Sequence, residues 1–381
     1  QKTASMRRSL TPLARRALAA HAAPIHRHLS MSSPELFAKA SRRLERVPPA
    51  CVVVSPWDNP ALARAPADAA ELLIGNTLDE LLAHGDEKLK AAECLLWVPP
   101  GDAGVLSALL RGGHLPALKW VHGFYAGVDG IASFIEHDLA PAGLPLSNGR
   151  GAFSSSLAEY ALAAALHFNK QVPRCQENRR ARKWDKFVMD TLAGKTMGLV
   201  GAGDIAQHTA RLAKAFGMRV VALRRNARKP DIPDVDLVLG PYDGEILPAH
   251  KAALLEQSDF VVCTLPGTAE TRHFMSSAEF AAMKSDAIFI SMGRGVAVDE
   301  AALHRALTTG QIAGAALDVF EVEPLPAESP LWDCDNLLLT AHNADFTHDY
   351  FDHGWRVWRA NMEALQRGEP LATPVDLSAG Y

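Results

Sequence analysis

The sequence predicts an α/β protein with two doubly wound parallel sheets, and three observations carry that prediction. Short β-branched runs bounded by proline or glycine recur along the chain, with helical or mixed segments between them. That alternation produces parallel sheets covered on both faces. An Ala/Leu-rich helical stretch splits the runs into two series, and 381 residues are enough for each series to bury its own core. Finally, a Gly-x-Gly loop follows the first strand of the second series and opens a helix.

Taken in order, the first strand is ACVVVSP (50–56), and ELLIG, CLLWVPP, LKWVHGF and LPLSNG repeat its pattern up to about Asn148. SSSLAEYALAAALHFNK (154–170) follows. Its serines offer N-caps, and its Ala/Leu body is a strong helix former. After a polar stretch containing Trp184, the second series reads TMGLVG, MRVVALR, LVLG, FVVCTLP, AIFISMG, GAALDVF and NLLLTAH. From Phe346 onward the pattern returns to helix over 352–367, then Gly368 and a proline-containing tail. No internal repeat of solenoid period is visible.

Charge is unevenly placed. The formal net charge is −4, yet residues 1–34 hold six basic residues (Lys2, Arg7, Arg8, Arg15, Arg16, Arg27) and no acid. The remainder carries 33 basic against 43 acidic residues, a net of −10. An acidic body argues against nucleic acid as a partner. The stretch MRRSLTPLARRALAAHAAPIHRHLS is rich in Arg, Ala and Ser, as an organellar presequence is. Residues 1–49 therefore read as a basic leader, either a targeting peptide for a mitochondrion or other organelle or a disordered tail. Met31 offers a second start that would yield a leaderless cytoplasmic form. Five scattered cysteines with no C-x-x-C pair argue against a zinc site and a disulfide framework, and fit a reducing compartment. No apolar run approaches membrane-spanning length, so no membrane partner is expected.

The chemistry is carried by a loop and three polar residues after it. In the loop, Gly201, Ala202, Gly203, Asp204 and Ile205 precede the small Ala206. Gly201 permits the tight turn, Gly203 lets a pyrophosphate approach the backbone at the helix N-terminus, and Ala206 allows close helix–strand packing. Next come Arg294 in SMGRG, Glu323 in FEVEP and His342 in LTAHN. An arginine holds a planar carboxylate through a two-pronged contact. An imidazole gives or takes the proton of a 2-hydroxyl near neutral pH. A glutamate on its other nitrogen fixes the tautomer and favours the protonated ring. With a dinucleotide loop, this order predicts hydride transfer to a 2-keto acid. Glu321 competes with Glu323 on position alone.

From Ala50 to Tyr381 the chain resembles the D-isomer-specific 2-hydroxyacid dehydrogenases. The resemblance lies in LKWVHGFYAGVD, SNGRGAFSSSLAEY, LAGKTMGLVGAGDIA, TLPGTAET, ISMGRGVAVDE, GAALDVFEVEPLP, LTAHNADFT and GEPLATPVDLSAGY. It implies a Rossmann cofactor domain (151–346) inserted in a flavodoxin-like substrate domain (50–150 and 347–381). The GRG arginine, the EP glutamate and the T-P-H histidine of the family fall on Arg294, Glu323 and His342, which selects Glu323 over Glu321. The family's proline before the histidine is Ala341 here, which leaves the loop without that stiffening. The resemblance further implies that the backbone of Ala126 and Gly127 holds the substrate carboxylate alongside Arg294. It places Asp318 at the nicotinamide carboxamide, and Leu265 and Pro266 along the nicotinamide ribose. It implies a homodimer, with the 154–184 segment contributing, and closure of two domains about hinges at 148–152 and near Phe346.

An NAD-preferring site needs an acid at the end of the second strand, for the ribose 2′-hydroxyl. MRVVALRRNARK has none: Arg224 falls about there, followed by Arg225, Asn226, Arg228 and Lys229. A carboxylate would repel a 2′-phosphate and arginine attracts it, so NADP(H) is favoured over NAD(H), which such a loop can still tolerate. Glyoxylate or hydroxypyruvate reduction to the D-2-hydroxy acid is the resulting expectation. The rival is an NAD(H)-sensing scaffold like the C-terminal-binding-protein corepressors, which share the fold. Glu323 disfavours the formate dehydrogenases, which carry glutamine there.

Overall fold

The computed structural model describes residues 50–67, 70–225, 232–241 and 245–380. The expectations for the leader and for Asn226, Arg228 and Lys229 lie outside the described residues.

The first series of runs forms β1 (Ala50–Val54), β2 (Glu71–Gly75), β3 (Cys94–Trp97), β4 (Trp120–Gly123) and β5 (Leu146–Asn148). All pair in parallel in the order β2-β1-β3-β4-β5. Between them run α1 (Leu78–Leu82), α2 (Asp86–Ala91) and α3 (Ala103–Arg111). β1 shows why an unbroken apolar run is required. Val52 and Val54 feed the core on one face while Cys51 and Val53 feed the other, so a polar residue at any of these positions would be stranded.

Two consecutive helices, α4 (Ser154–Asn169) and α5 (Val172–Arg180), lead into the second series. This contains β6 (Thr196–Val200), β7 (Arg219–Leu223), β8 (Leu237–Leu239), β9 (Phe260–Cys263), β10 (Ile288–Ser291), β11 (Gly314–Leu317) and β12 (Leu337–Leu339). They form a parallel sheet in the order β12-β11-β10-β9-β6-β7-β8, with α6 (Asp204–Ala215), α7 (Pro248–Leu255), α8 (Ser277–Ala282) and α9 (Glu300–Thr308) between strands. Both orders are doubly wound, of the flavodoxin-like and Rossmann kinds. α4 packs on α6 through small residues, Ala161, Ala164 and Ala165 sharing a core with Ala206, Ala210 and Ala213, which lets the two backbones approach closely.

The last helix, α10 (Tyr350–Arg367), returns to the first sheet. Its Trp355, Trp358 and Met362 are at most 3% exposed and share a core with Cys51, Val53 and Trp120. Each such side chain contributes roughly 1.5–3 kcal/mol on burial, so the C-terminal segment is integral to this half. Gly354 makes room for the Phe124 ring, 2.6 Å from where a Cβ would sit. The tail then forms a bridge between Pro374 and Ser147 beside β5.

This topology positions the site. Open parallel sheets collect ligands beyond the carboxyl ends of their strands, and every residue singled out in the sequence follows such an end. Ala126 and Gly127 follow β4, the glycine loop follows β6, Leu265 and Pro266 follow β9. Arg294 follows β10, Asp318 follows β11 and His342 follows β12.

Candidate active site

The glycine loop is built as the sequence requires. Gly201 has φ of +101°, a conformation costly for any residue with a Cβ, and its amide is tied to the Leu223 carbonyl at 3.1 Å. Gly203 is the N-cap of α6, and a Cβ there would meet nothing within 4 Å, so the space above it is open. Asp204 heads the helix, Ile205 packs at the edge of the core, and Ala206 is buried. Leu265 reaches the same loop, its Cδ2 lying 3.4 Å from the Cβ position of Gly201. Pro266 is pinned through its carbonyl, which accepts from Thr271 Oγ1 at 2.6 Å.

Glu323 and His342 meet. His342 Nδ1 and Glu323 Oε2 are 2.7 Å apart, and Glu323 Oε1 accepts from the Phe320 amide at 2.8 Å. The carboxylate is thus fixed at one oxygen and presents the other to the ring. With Nδ1 occupied, Nε2 is the nitrogen left for proton transfer. Glu321 points elsewhere: it accepts from His273 Nε2 (3.0 Å) and the Glu300 amide (3.1 Å), so geometry separates the two glutamates.

Arg294 reaches across to the loop after β4. Its Nε donates to Asp129 Oδ1 at 3.0 Å and its Nη1 to the Gly293 carbonyl at 3.0 Å. Nη2 lies over Gly127, only 1.6 Å from where a Cβ at that residue would sit. Arg294 and Gly127, paired in the sequence reading only by resemblance, are therefore in direct apposition. The neighbouring Ala126 is held by its carbonyl, which accepts from Asn148 Nδ2 at 2.6 Å, and the Asn148 carbonyl accepts from Thr373 Oγ1 at 2.6 Å.

Several residues at this site were not singled out beforehand. Asp129 is one; its only sequence signal is its place in GFYAGVD. Asp345, three residues after His342, is another. Burial pushes its carboxyl above the usual range, with the charge of His342 opposing and that of Asp318 adding, and Arg294 also opposing. One half-buried acid thus feels the charge of both His342 and Arg294. Burial and then Asp345 raise the Tyr125 and Tyr350 hydroxyls. These tyrosines form an aromatic wall with Phe153, which stacks on Tyr350 at 4.3 Å. Asp318, 1% exposed, turns its carboxylate to Thr340 Oγ1 (2.6 Å) and to the amides of Asn343 and Ala344.

Residues 162–344 match the family model for the NAD-binding domain of D-isomer-specific 2-hydroxyacid dehydrogenases. A glyoxylate reductase of Korarchaeum cryptofilum is 33% identical over 291 residues, which cover 74% of this chain and 82% of the relative. The chain belongs to the D-isomer-specific 2-hydroxyacid dehydrogenase family. Solved members are similar in structure. A D-isomer-specific 2-hydroxyacid dehydrogenase from Xanthobacter autotrophicus in complex with NADPH and MES superimposes with a TM-score of 0.71 at 28% identity, over 88% of this chain and all of that one. An NADPH-dependent glyoxylate/hydroxypyruvate reductase from Sinorhizobium meliloti, in complex with NADP and sulfate, gives 0.71 at 27% identity over the same shares.

As a 2-hydroxyacid dehydrogenase the chain is an NAD(P)-dependent oxidoreductase, and its cradle fits a dinucleotide. The open space above Gly203 accommodates a pyrophosphate at a helix N-terminus. Thr264 Oγ1 and Ser291 Oγ, at the ends of β9 and β10, are buried polar atoms without a protein hydrogen-bond partner, as groups facing a polar ligand would be. Arg224 follows β7 with its amide donating to Leu239 O at 2.9 Å. Arg225 next to it is exposed and pairs with Glu270 at 3.0 Å. Among the described residues no cluster of three His, Cys, Asp or Glu side chains suits a metal ion, and no helix is long and apolar enough to cross a membrane.

Proposed function

We propose that this dehydrogenase reduces a small 2-keto acid, glyoxylate or hydroxypyruvate, to the D-2-hydroxy acid with NADPH. The observation that carries the proposal is the 2.7 Å His342–Glu323 pair in a site that also gathers Arg294 over Gly127. The reduced nicotinamide supplies the hydride for C2. Arg294 holds the substrate carboxylate with its guanidinium, and the Ala126–Gly127 amides add backbone donors. His342 Nε2 donates its proton to the oxygen that was the keto group, and Glu323 stabilises the imidazolium before the transfer. In the oxidative direction the same nitrogen takes the proton back. The resemblance assigns Asp318 to the nicotinamide carboxamide, and Leu265 and Pro266 to the nicotinamide ribose. Gly201, Ala202, Gly203, Asp204 and Ile205 cradle the pyrophosphate.

Support for NADPH over NADH comes from Arg224 and Arg225 at the end of β7, where an NAD site would carry an acid, and from the NADP-bound relatives. We also propose a homodimer: on the single chain Trp184 is fully exposed and Val188 is 83% exposed, apolar surface that a second copy would cover. The domains close about 148–152 and near Phe346, and the basic leader directs the protein to an organelle. Oxidation of NADPH and NADH with glyoxylate, hydroxypyruvate, pyruvate and bulkier 2-keto acids tests the main proposal. Turnover with none of them would sink it, and a strong preference for NADH would overturn the role given to the arginines.

A further inference from the structure

The loop that carries His342 is gripped from two directions. Beneath it, Asp318 accepts from Thr340 Oγ1 at 2.6 Å, from Asn343 N at 3.1 Å and from Ala344 N at 3.2 Å, while its own carbonyl accepts from His342 N at 2.8 Å. From the side, α4 offers two hydroxyls. Ser156 Oγ donates to Ala344 O at 2.6 Å, and Tyr160 Oη lies 3.0 Å from Thr340 Oγ1. The Thr340 hydroxyl faces both acceptors, Asp318 Oδ1 at 2.6 Å and the Tyr160 phenol oxygen at 3.0 Å. Burial pushes the Tyr160 hydroxyl up to about 12, with the Thr340 hydrogen bond opposing and Asp318 adding.

The spacing matches on both sides. Ser156 and Tyr160 stand one helical turn apart on one face of α4. Thr340 and Ala344 stand two residues to either side of His342. Between those two points His342 adopts φ of +49°, a left-handed conformation that a side chain of this kind keeps only where its surroundings hold it. Ala341 adds no conformational restriction of the kind a proline ring imposes. Meanwhile α4 is anchored independently by Leu157, Ala161 and Leu162 in the core, so the helix does not need its two hydroxyl contacts to stay in place.

We propose that Ser156 and Tyr160 are positioning residues, which clamp the His342 loop at both ends and hold the imidazole on Glu323. The inference rests on the reading of His342 as proton donor. The test compares Ser156→Ala, Tyr160→Phe, the double variant and the conservative Ser156→Thr in the full-length protein. One lost hydrogen bond is expected to lower kcat for glyoxylate reduction about fivefold and the pair about 25-fold. KM for the keto acid, NADPH affinity and Tm should stay close to wild type, and Ser156→Thr should retain the rate. Hydrogen exchange of the His342, Asn343 and Ala344 amides should quicken in the double variant without cofactor, with β11 unchanged. Unchanged kcat and exchange, or a kcat loss that follows Tm, overturns the clamp. His342→Ala separates the two readings. If it is inactive while the clamp variants match wild type, only the clamp fails; if it is active, the proton-donor reading fails too.

Discussion

Gly127 provides the sharpest test of how the substrate carboxylate is held. An alanine Cβ at this position would lie 1.6 Å from Arg294 Nη2, 2.8 Å from its Cζ and 2.9 Å from Asp129 Oδ1. Ordinary contact between such atoms is about 3.5 Å, so the guanidinium must retreat by about 2 Å. That retreat also breaks its 3.0 Å contact with Asp129. Gly127 is outside the left-handed region, so alanine introduces no backbone strain to confuse the result. A misplacement of about 1 Å at a reacting site can cost about 10²-fold, roughly 2.7 kcal/mol. Gly127→Ala is therefore expected to lower kcat/KM for glyoxylate about 100-fold, while NADPH affinity and Tm remain near wild type. Steady-state NADPH oxidation, cofactor titration by fluorescence and thermal unfolding would measure all three. In an Arg294→Ala background the same substitution should add little, because the group it displaces is gone. A kcat/KM within threefold of wild type would refute the apposition of Gly127 and Arg294 as the carboxylate holder.

Three further outcomes are expected. Glu323→Gln replaces a charged hydrogen bond to His342 with a neutral one and should reduce kcat about 10- to 100-fold with folding intact; full activity would remove Glu323 from the mechanism. Substituting serine for both Arg224 and Arg225 should raise KM for NADPH at least tenfold and leave that for NADH unchanged, and equal effects on the two cofactors would count against 2′-phosphate recognition. His122 in β4 is buried and its pKa is pushed down to about 3 by that burial. It stays neutral when folded but takes a proton near 6.5 once unfolded. Stability is therefore complete above about pH 6.5 and falls by about 1.4 kcal/mol per pH unit as pH drops toward 3. Urea unfolding between pH 7 and 5 should show His122→Asn losing less stability over that span than wild type; parallel losses would mean another group is responsible.

The fold was legible because each parallel strand is buried on both faces and so must read as an unbroken apolar run. ACVVV and TMGLV are stretches of that kind, and all twelve runs became strands. The glycine loop was legible because a tight turn into a helix needs glycine where Gly201 has φ of +101°. Asp129, Asn148, Ser156, Tyr160 and Thr340 carried no such signal. Each is a common polar residue whose importance comes from a partner 22 to 225 positions away, and period and composition do not encode such pairings.

By itself the sequence determined the alternation of strands and helices, the dinucleotide loop, and an acid, a base and a cation in fixed order. Those are local facts, set by side-chain burial period and by residue type. Only the tertiary structure decided which groups meet. Parallel pairing lines up the carboxyl ends of β6, β10, β11 and β12 within one sheet, and Arg294 reaches from there to the loop after β4 of the other, so residues far apart in the chain meet. It set Glu323 and not Glu321 on His342. It also laid Arg294 on Gly127, with Asp129 holding its Nε. The physical reason is range: burial acts on each residue where it stands, whereas hydrogen bonds reach only about 3 Å and depend on how the whole chain closes.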